Sequence, residues 1–244
     1  MRTVVGVGVV LVLLVAACSA GGQQASKAPR PSPEPPSLVY AAMGASETAG
    51  VGTALPVRES FPQQLLGELG RGAVLYNFGI PGETTAAALN DELPGALSQR
   101  PDLVTVFFNV DDLVAGVPVE DFEARLDRIV GSLKAGGRAR VLVAGTPPLD
   151  RFPAFAACQG GLQACPIKGA AIPSAAHLGE LVVAYNAAIG RVVAAHGATL
   201  VDLGGAGAAI ASHPEYLAAD GFHPSARGAM VLAQAFFAAW RASH

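Results

Sequence analysis

The stretch Leu38-Val39-Tyr40-Ala41-Ala42-Met43-Gly44-Ala45-Ser46 decides how the rest of the chain is read. An unbroken run of small and apolar residues, stopped by a glycine, reads as a strand buried on both faces. Outward from it, short apolar runs alternate with segments of helical period. Phe61 to Leu69 reads as a helix, and Ala73 to Phe78 as a second strand. Thr84 to Leu97 is expected to be helical, and Leu103 to Phe108 a third strand. Val119 to Lys134 repeats apolar side chains at Phe122, Leu126, Ile129, Val130 and Leu133, which is helical spacing. Arg140 to Ala144 reads as a fourth strand, followed by a long loop over Pro147 to Pro173. Ser174 to His196 is the longest expected helix, Thr199 to Asp202 a short fifth strand, and Ser225 to Trp240 the last helix. The expected class is α/β: a five-stranded parallel sheet between helical layers, with reactive residues at the carboxyl ends of its strands. No internal repeat and no second domain are visible.

The chain has 244 residues, 51% of them hydrophobic and 14% charged, enough for one domain with a full core. A net charge of -3 points away from nucleic acid as a partner. Residues 1–18 read as a leader: Arg2 supplies the positive start, and Val4 to Ala17 is apolar but too short to span a bilayer comfortably. It ends in Val15-Ala16-Ala17-Cys18, which resembles a bacterial lipobox and implies a lipid on Cys18; the alternative is cleavage near Ala17 or Ala20 without one. Residues 19–37, rich in Gly, Ser and Pro, read as an extended tether, and 38–244 as the domain. The expected place is the outer face of a bacterial cell membrane, held by the anchor.

Cys158 and Cys165 lie seven positions apart with Gly160 and Gly161 between them. Export permits a disulfide there, and no neighbouring Cys or His would complete a metal site. The other histidines form no metal-ligating pattern: His177 and His196 bound the long helix, and His213 and His244 read as surface. The reading calls for no cofactor.

Three pieces carry chemistry. Ser46 follows a strand end and is flanked by Gly44 and Gly50, so its hydroxyl and its amide can face the same space. Gly82 in Asn77-Phe78-Gly79-Ile80-Pro81-Gly82 precedes a helix, where free amides suit an anion. Asp220-Gly221-Phe222-His223-Pro224 sets a carboxylate three residues before an imidazole, directly ahead of the last helix. That spacing lets Asp220 hold Nδ1 while Nε2 faces a serine, with Ser46 within hydrogen-bond reach.

Taken together and in this order, Gly-x-Ser46, Asn77-x-Gly-x-x-Gly82 and Asp220-x-x-His223-Pro resemble the SGNH (GDSL-type) hydrolases, over Leu38 to Trp240. Tyr185-Asn186 and Leu200-Val201-Asp202-Leu203 are similar to the family as well. The resemblance implies a flavodoxin-like α/β/α sandwich. It also implies Ser46 as nucleophile, His223 as general base, Asp220 as its orienting partner, and the amides of Ser46 and Gly82 as oxyanion donors.

Two positions depart from the family pattern. Ala45 stands where the family carries an aspartate, a residue that supports the turn. More consequentially, the block Asn109-Val110-Asp111-Asp112 puts Asp111 where the family has its oxyanion asparagine. An ionised carboxylate there repels an oxyanion, and losing one donor costs roughly 3–4 kcal/mol. Asp111 works if protonated, which requires its pKa to be raised by burial or by Asp112. Otherwise Asn109, two positions earlier on the same strand face, takes over through a bulge, or the hole has two donors and is slow.

The expected activity is a monomeric cell-envelope serine esterase acting on small or medium acyl esters, or on acetyl groups of a polysaccharide. The rivals are an acyltransferase on the same scaffold and a ligand-binding lipoprotein that has lost the chemistry.

Overall fold

The computed structural model describes residues 3, 36–159, 165, 167 and 172–243. The leader with Cys18 and nearly all of the tether lie outside them, as does His244. Five strands form one parallel sheet: β1 (Leu38–Gly44), β2 (Ala73–Asn77), β3 (Leu103–Phe107), β4 (Arg140–Ala144) and β5 (Thr199–Val201), in the order β2-β1-β3-β4-β5. This is the three-layer α/β architecture the periodicity implies.

Helices fill the connections. After β1 come α1 (Ser46–Ala49), α2 (Pro56–Glu59) and α3 (Phe61–Leu69), and after β2 come α4 (Thr85–Asp91) and α5 (Leu93–Ser98). α6 (Val110–Val114) and α7 (Val119–Lys134) follow β3; α8 (Pro153–Gln159) and α9 (Ala175–His196) follow β4; α10 (Gly204–Ser212) and α11 (Ala226–Ala242) follow β5. Right-handed crossovers in this strand order put α3 and α11 on one face and α4, α7 and α9 on the other. On the first face Phe61 of α3 stacks on Phe236 of α11 at 4.8 Å, with Phe107 of β3 edge-on to Phe61 at 6.1 Å. On the second, Phe122 of α7 stacks on Tyr185 of α9 at 4.4 Å. β1, β3 and β4 lie between these layers and are buried on both sides, which is why their sequences are apolar apart from Thr105 and Arg140. α9 is long and apolar enough to cross a bilayer, but Leu178, Val182, Tyr185, Ile189 and Val192 bury its inner face in this core.

Two expectations are corrected. The helix expected over Thr84 to Leu97 is two helices, interrupted at Glu92. Pro94, in the first turn of α5, lacks the N–H a continuous helix would need and would crowd the preceding turn. The loop expected over Pro147 to Pro173 contains a 3-10 turn at Leu149–Arg151 and then α8. Its prolines begin these turns rather than exclude them, and Phe152, Ala154 and Phe155 are buried. Cys158, at the end of α8, is disulfide-bonded to Cys165.

Candidate active site

β1 delivers Ser46 to the carboxyl edge of the sheet. Gly44 there has φ +152°, and a Cβ on it would lie 2.5 Å from the Phe107 carbonyl oxygen and closer still to Thr48 Oγ1. Only glycine lets β1 turn this sharply against β3. The turn opens the one-turn helix α1, with Ser46 as its first residue and 6% exposed. Asn77, at the end of β2, braces it: Nδ2 donates to the Thr48 carbonyl at 2.8 Å, and Oδ1 accepts the Gly79 amide at 3.0 Å. The Ser46 turn and the Gly79–Gly82 loop are therefore one unit.

Glu92, at the break between α4 and α5, supports the same unit from beneath. Its Oε2 accepts the Gly44 amide at 2.9 Å, while the Ile80 amide donates to the Gly44 carbonyl at 3.0 Å. Burial pushes its carboxyl up to about 8 against the hydrogen bonding of the turn, with Glu83 and Asp91 adding like charge. Ala45 occupies the position where the family's aspartate supports the turn; here a carboxyl from another segment receives the Gly44 amide of the turn. Gly82, with φ +80°, lies in the left-handed region and ends the loop beside α4.

The end of β3 separates the three polar residues read as one block. Asn109 adopts φ +128°, a backbone that side-chain-bearing residues rarely take. Its Nδ2 donates to the Ala144 carbonyl of β4 at 3.2 Å, so its amide faces β4 rather than the cavity described below. Asp112 is fully buried and accepts both the Thr85 amide at 2.8 Å and the Thr85 hydroxyl at 2.6 Å, anchoring α6 to the start of α4. Asp111 alone of the three lines the cavity. Burial, then the Glu47 and Asp112 charges, push its carboxyl up to about 7, opposed by His223 and its own backbone amide.

Asp220 and His223 form a compact unit before α11. Asp220 Oδ2 meets His223 Nδ1 at 2.6 Å, while Oδ1 accepts the amides of Phe222 at 2.9 Å and His223 at 3.0 Å. Burial raises the Asp220 carboxyl, but the hydrogen bonds from His223 and the two amides outweigh it and hold it below the usual carboxylate range. An ionised Asp220 takes the proton of Nδ1 in its hydrogen bond and leaves Nε2 unprotonated. The segment is closed at its base, where the Ala218 amide donates to the His223 carbonyl at 2.8 Å and Leu217 pairs with Pro224. Ser225 caps α11 and donates to the Glu215 carbonyl at 2.7 Å.

Ser46, Gly82, Asp111, Asp220 and His223 line one cavity of about 390 Å³. Val110, Val114, Phe155, Ile167 and Phe222 are among its apolar lining residues; Ile167 stands two residues beyond Cys165. No Lys or Arg lines it among the described residues. The Ser46 hydroxyl does not bond His223 among the described residues; it donates to Glu47 Oε2 at 3.2 Å. Reading the sequence missed both Glu47 and Glu92. Glu47 had one available signal, a charged residue inside an otherwise small, buried strand-end turn. Tyr185 and Asn186 hold the scaffold: the tyrosine hydroxyl donates to the Val117 carbonyl at 2.7 Å, and Asn186 exchanges two hydrogen bonds with the Thr146 backbone. His177 and His196 pair with Glu180 and Asp127, and His213 with Glu215, all away from the cavity.

A strand-end serine and a carboxylate-held histidine on a β2-β1-β3-β4-β5 sheet define a hydrolase of the α/β/α class. The chain belongs to the GDSL-like lipase/acylhydrolase family, whose family model matches residues 42–231. The solved structure of TesA superposes with a TM-score of 0.62 at 20% identity, covering 84% of this chain and 98% of that one. A lipase/acylhydrolase from Enterococcus faecalis gives 0.61 at 21% identity, covering 82% and 93%. The esterase EstA from Pseudoalteromonas sp., solved inhibited by monoethylphosphonate, gives 0.61 at 17% identity, covering 84% and 97%. At these identities the likeness establishes the fold. A search of curated proteins finds no match.

Proposed function

We propose that this chain is a serine esterase acting on neutral esters of small or medium acyl chains. The observation that carries the reading is the convergence of Ser46, Gly82 and the Asp220–His223 pair on one largely apolar cavity. The Ser46 hydroxyl rotates from Glu47 to His223 Nε2, gives up its proton there, and its oxygen attacks the ester carbonyl. The amides of Ser46 and Gly82 and the acid form of Asp111 donate to the resulting oxyanion. The imidazolium returns the proton to the leaving alcohol, and water releases the acyl group by the reverse sequence. An apolar wall without a basic side chain favours uncharged substrates. The leader supports export and anchoring through a lipid on Cys18; a Cys18→Ala chain should then leave the membrane fraction.

A fluorophosphonate probe should label the wild-type chain and not Ser46→Ala. A graded panel of p-nitrophenyl esters should be hydrolysed by the one and not the other. The resting bond from Ser46 to Glu47 favours a second reading, a ligand-binding lipoprotein that keeps the cavity without the chemistry. Absence of both labelling and hydrolysis in the wild type would decide for it.

A further inference from the structure

Beside the cavity that holds Ser46 and His223 lies a smaller, inner one of about 20 Å³, and the mechanism above gives it no part. The two meet along consecutive residues: Ser46 lines the outer and Glu47 the inner, His223 the outer and Pro224 the inner. Phe222 lines both, the one residue to do so among the described residues. Its half-buried ring lies 4.9 Å from that of His223. It also stands edge-on to Phe155 of the outer cavity at 5.5 Å and to Phe152 of the inner at 5.8 Å. Beyond it the inner cavity is walled by buried Phe107, Ile210 and Leu232, and Glu47 is the one charged residue lining it among the described residues. By itself this space has room for about one water. Joined to the outer cavity, it would prolong an apolar channel.

We propose that Phe222 sets the length of acyl chain this site accepts: its ring is the partition that keeps the chain out of the inner cavity. The proposal rests on the esterase reading of the outer cavity. An acyl group carried on Ser46 has its carbonyl carbon beside His223, whose ring the Phe222 ring contacts, so the partition stands within a few bonds of the reacting carbon. Edge-to-face contacts with Phe152 and Phe155 hold the Phe222 ring in place and make it a wall. A chain that ends before the ring fits the outer cavity, whereas a longer one has to displace an aromatic side chain from both partners. Short acyl groups are therefore hydrolysed in preference to long ones. Removing the ring opens a path to walls that are apolar, where each further methylene buried gains about fourfold in affinity.

The test measures kcat/KM on p-nitrophenyl butyrate and octanoate for wild type, Phe222→Ala, Phe222→Leu, Ile210→Phe and the double variant Phe222→Ala/Ile210→Phe. Wild type should favour butyrate by about tenfold or more. Phe222→Ala should raise the octanoate-to-butyrate ratio about tenfold, and Phe222→Leu, a milder change that keeps an apolar side chain in place, about threefold. Ile210 lines the inner cavity and not the outer, so Ile210→Phe should cancel the gain in the double variant and leave the ratio unaltered where Phe222 is present. A wild type that takes octanoate as well as butyrate overturns the proposal. So does the absence of a gain in both Phe222 variants, or a gain that survives Ile210→Phe. Calorimetric titration with 1-butanol and 1-octanol reads the partition without turnover: octanol affinity relative to butanol should rise in the Phe222 variants and fall back with Ile210→Phe. If it does so in a chain with neither labelling nor hydrolysis, the esterase reading falls and the partition stands. If hydrolysis is present and neither ratio moves, the partition falls and the esterase reading stands.

Discussion

Asp220 and Asp111 line the same cavity, and their environments drive them to opposite charge states. Asp220 receives three hydrogen bonds, from the His223 imidazole and two backbone amides, and stays below the ordinary carboxylate range. Asp111 has only the nearby His223 and its own backbone amide to set against burial and two neighbouring carboxylates, and rises to about 7. A carboxyl surrounded by N–H donors remains an anion, and one surrounded by apolar walls and like charge keeps its proton. The number of donors aimed at each group, more than its identity as aspartate, sets what it can do for the reaction.

The contrast predicts opposite responses to the same substitution. Asp220→Asn should lower kcat by roughly 10³–10⁴-fold, because the neutral amide no longer holds the imidazole in its working tautomer. Asp111→Asn should raise kcat by about tenfold at pH 8, where roughly a tenth of Asp111 still carries a proton, with little change at pH 6. Loss of activity in Asp111→Asn at both pH values would break the comparison. Ester turnover measured at the two pH values decides it.

Glu92 sharpens the same contrast as an effect on folding. It is fully buried and raised to about 8, from 4.5, despite its hydrogen bond from the Gly44 amide. A raised acid stabilises the fold below its unfolded value and loses that stabilisation as pH climbs to the folded one. Between about 4.5 and 8 the native state holds a proton that the unfolded chain has released. Stability should therefore decline by roughly 1 kcal/mol per pH unit across that window, and Glu92→Gln, which still accepts from the turn, should flatten the decline. Urea denaturation at pH 5 and pH 8 measures both slopes. Parallel pH dependence in the two proteins would remove Glu92 from this account.

The elements legible in the sequence are those whose own residues carry the signal. β1, β3 and β4 are nearly continuous apolar runs, and α7 buries an unbroken helical stripe, so their bounds follow from spacing. α1 and α6 were not legible, because four- and five-residue helices form where positive-φ residues, Gly44 and Asn109, turn the chain at strand ends. α10 runs through three glycines among small residues and has no amphipathic stripe to read. Ser46, Gly82, Asp220 and His223 were visible from local motifs. The roles of Asn109 and Asp111 were left open because they depend on which side chain the β4 carbonyl of Ala144 captures, and that contact spans 35 positions. Glu92 was invisible for the same reason: the turn it supports lies 48 residues away.

The strand order has a practical consequence for altering the molecule. Ser46, Gly82 and Asp111 lie in the segments that follow β1, β2 and β3, three adjacent strands, so the width of the proposed reacting centre is set by two interstrand gaps of about 4.8 Å each. Ala154, Phe155 and Ile167 come from the connection between β4 and α9, a segment that supplies none of the proposed reacting groups. Preference for one acyl group over another can therefore be rewritten in that connection, by grafting or library selection, while the spacing of the reacting centre is inherited unchanged from the sheet.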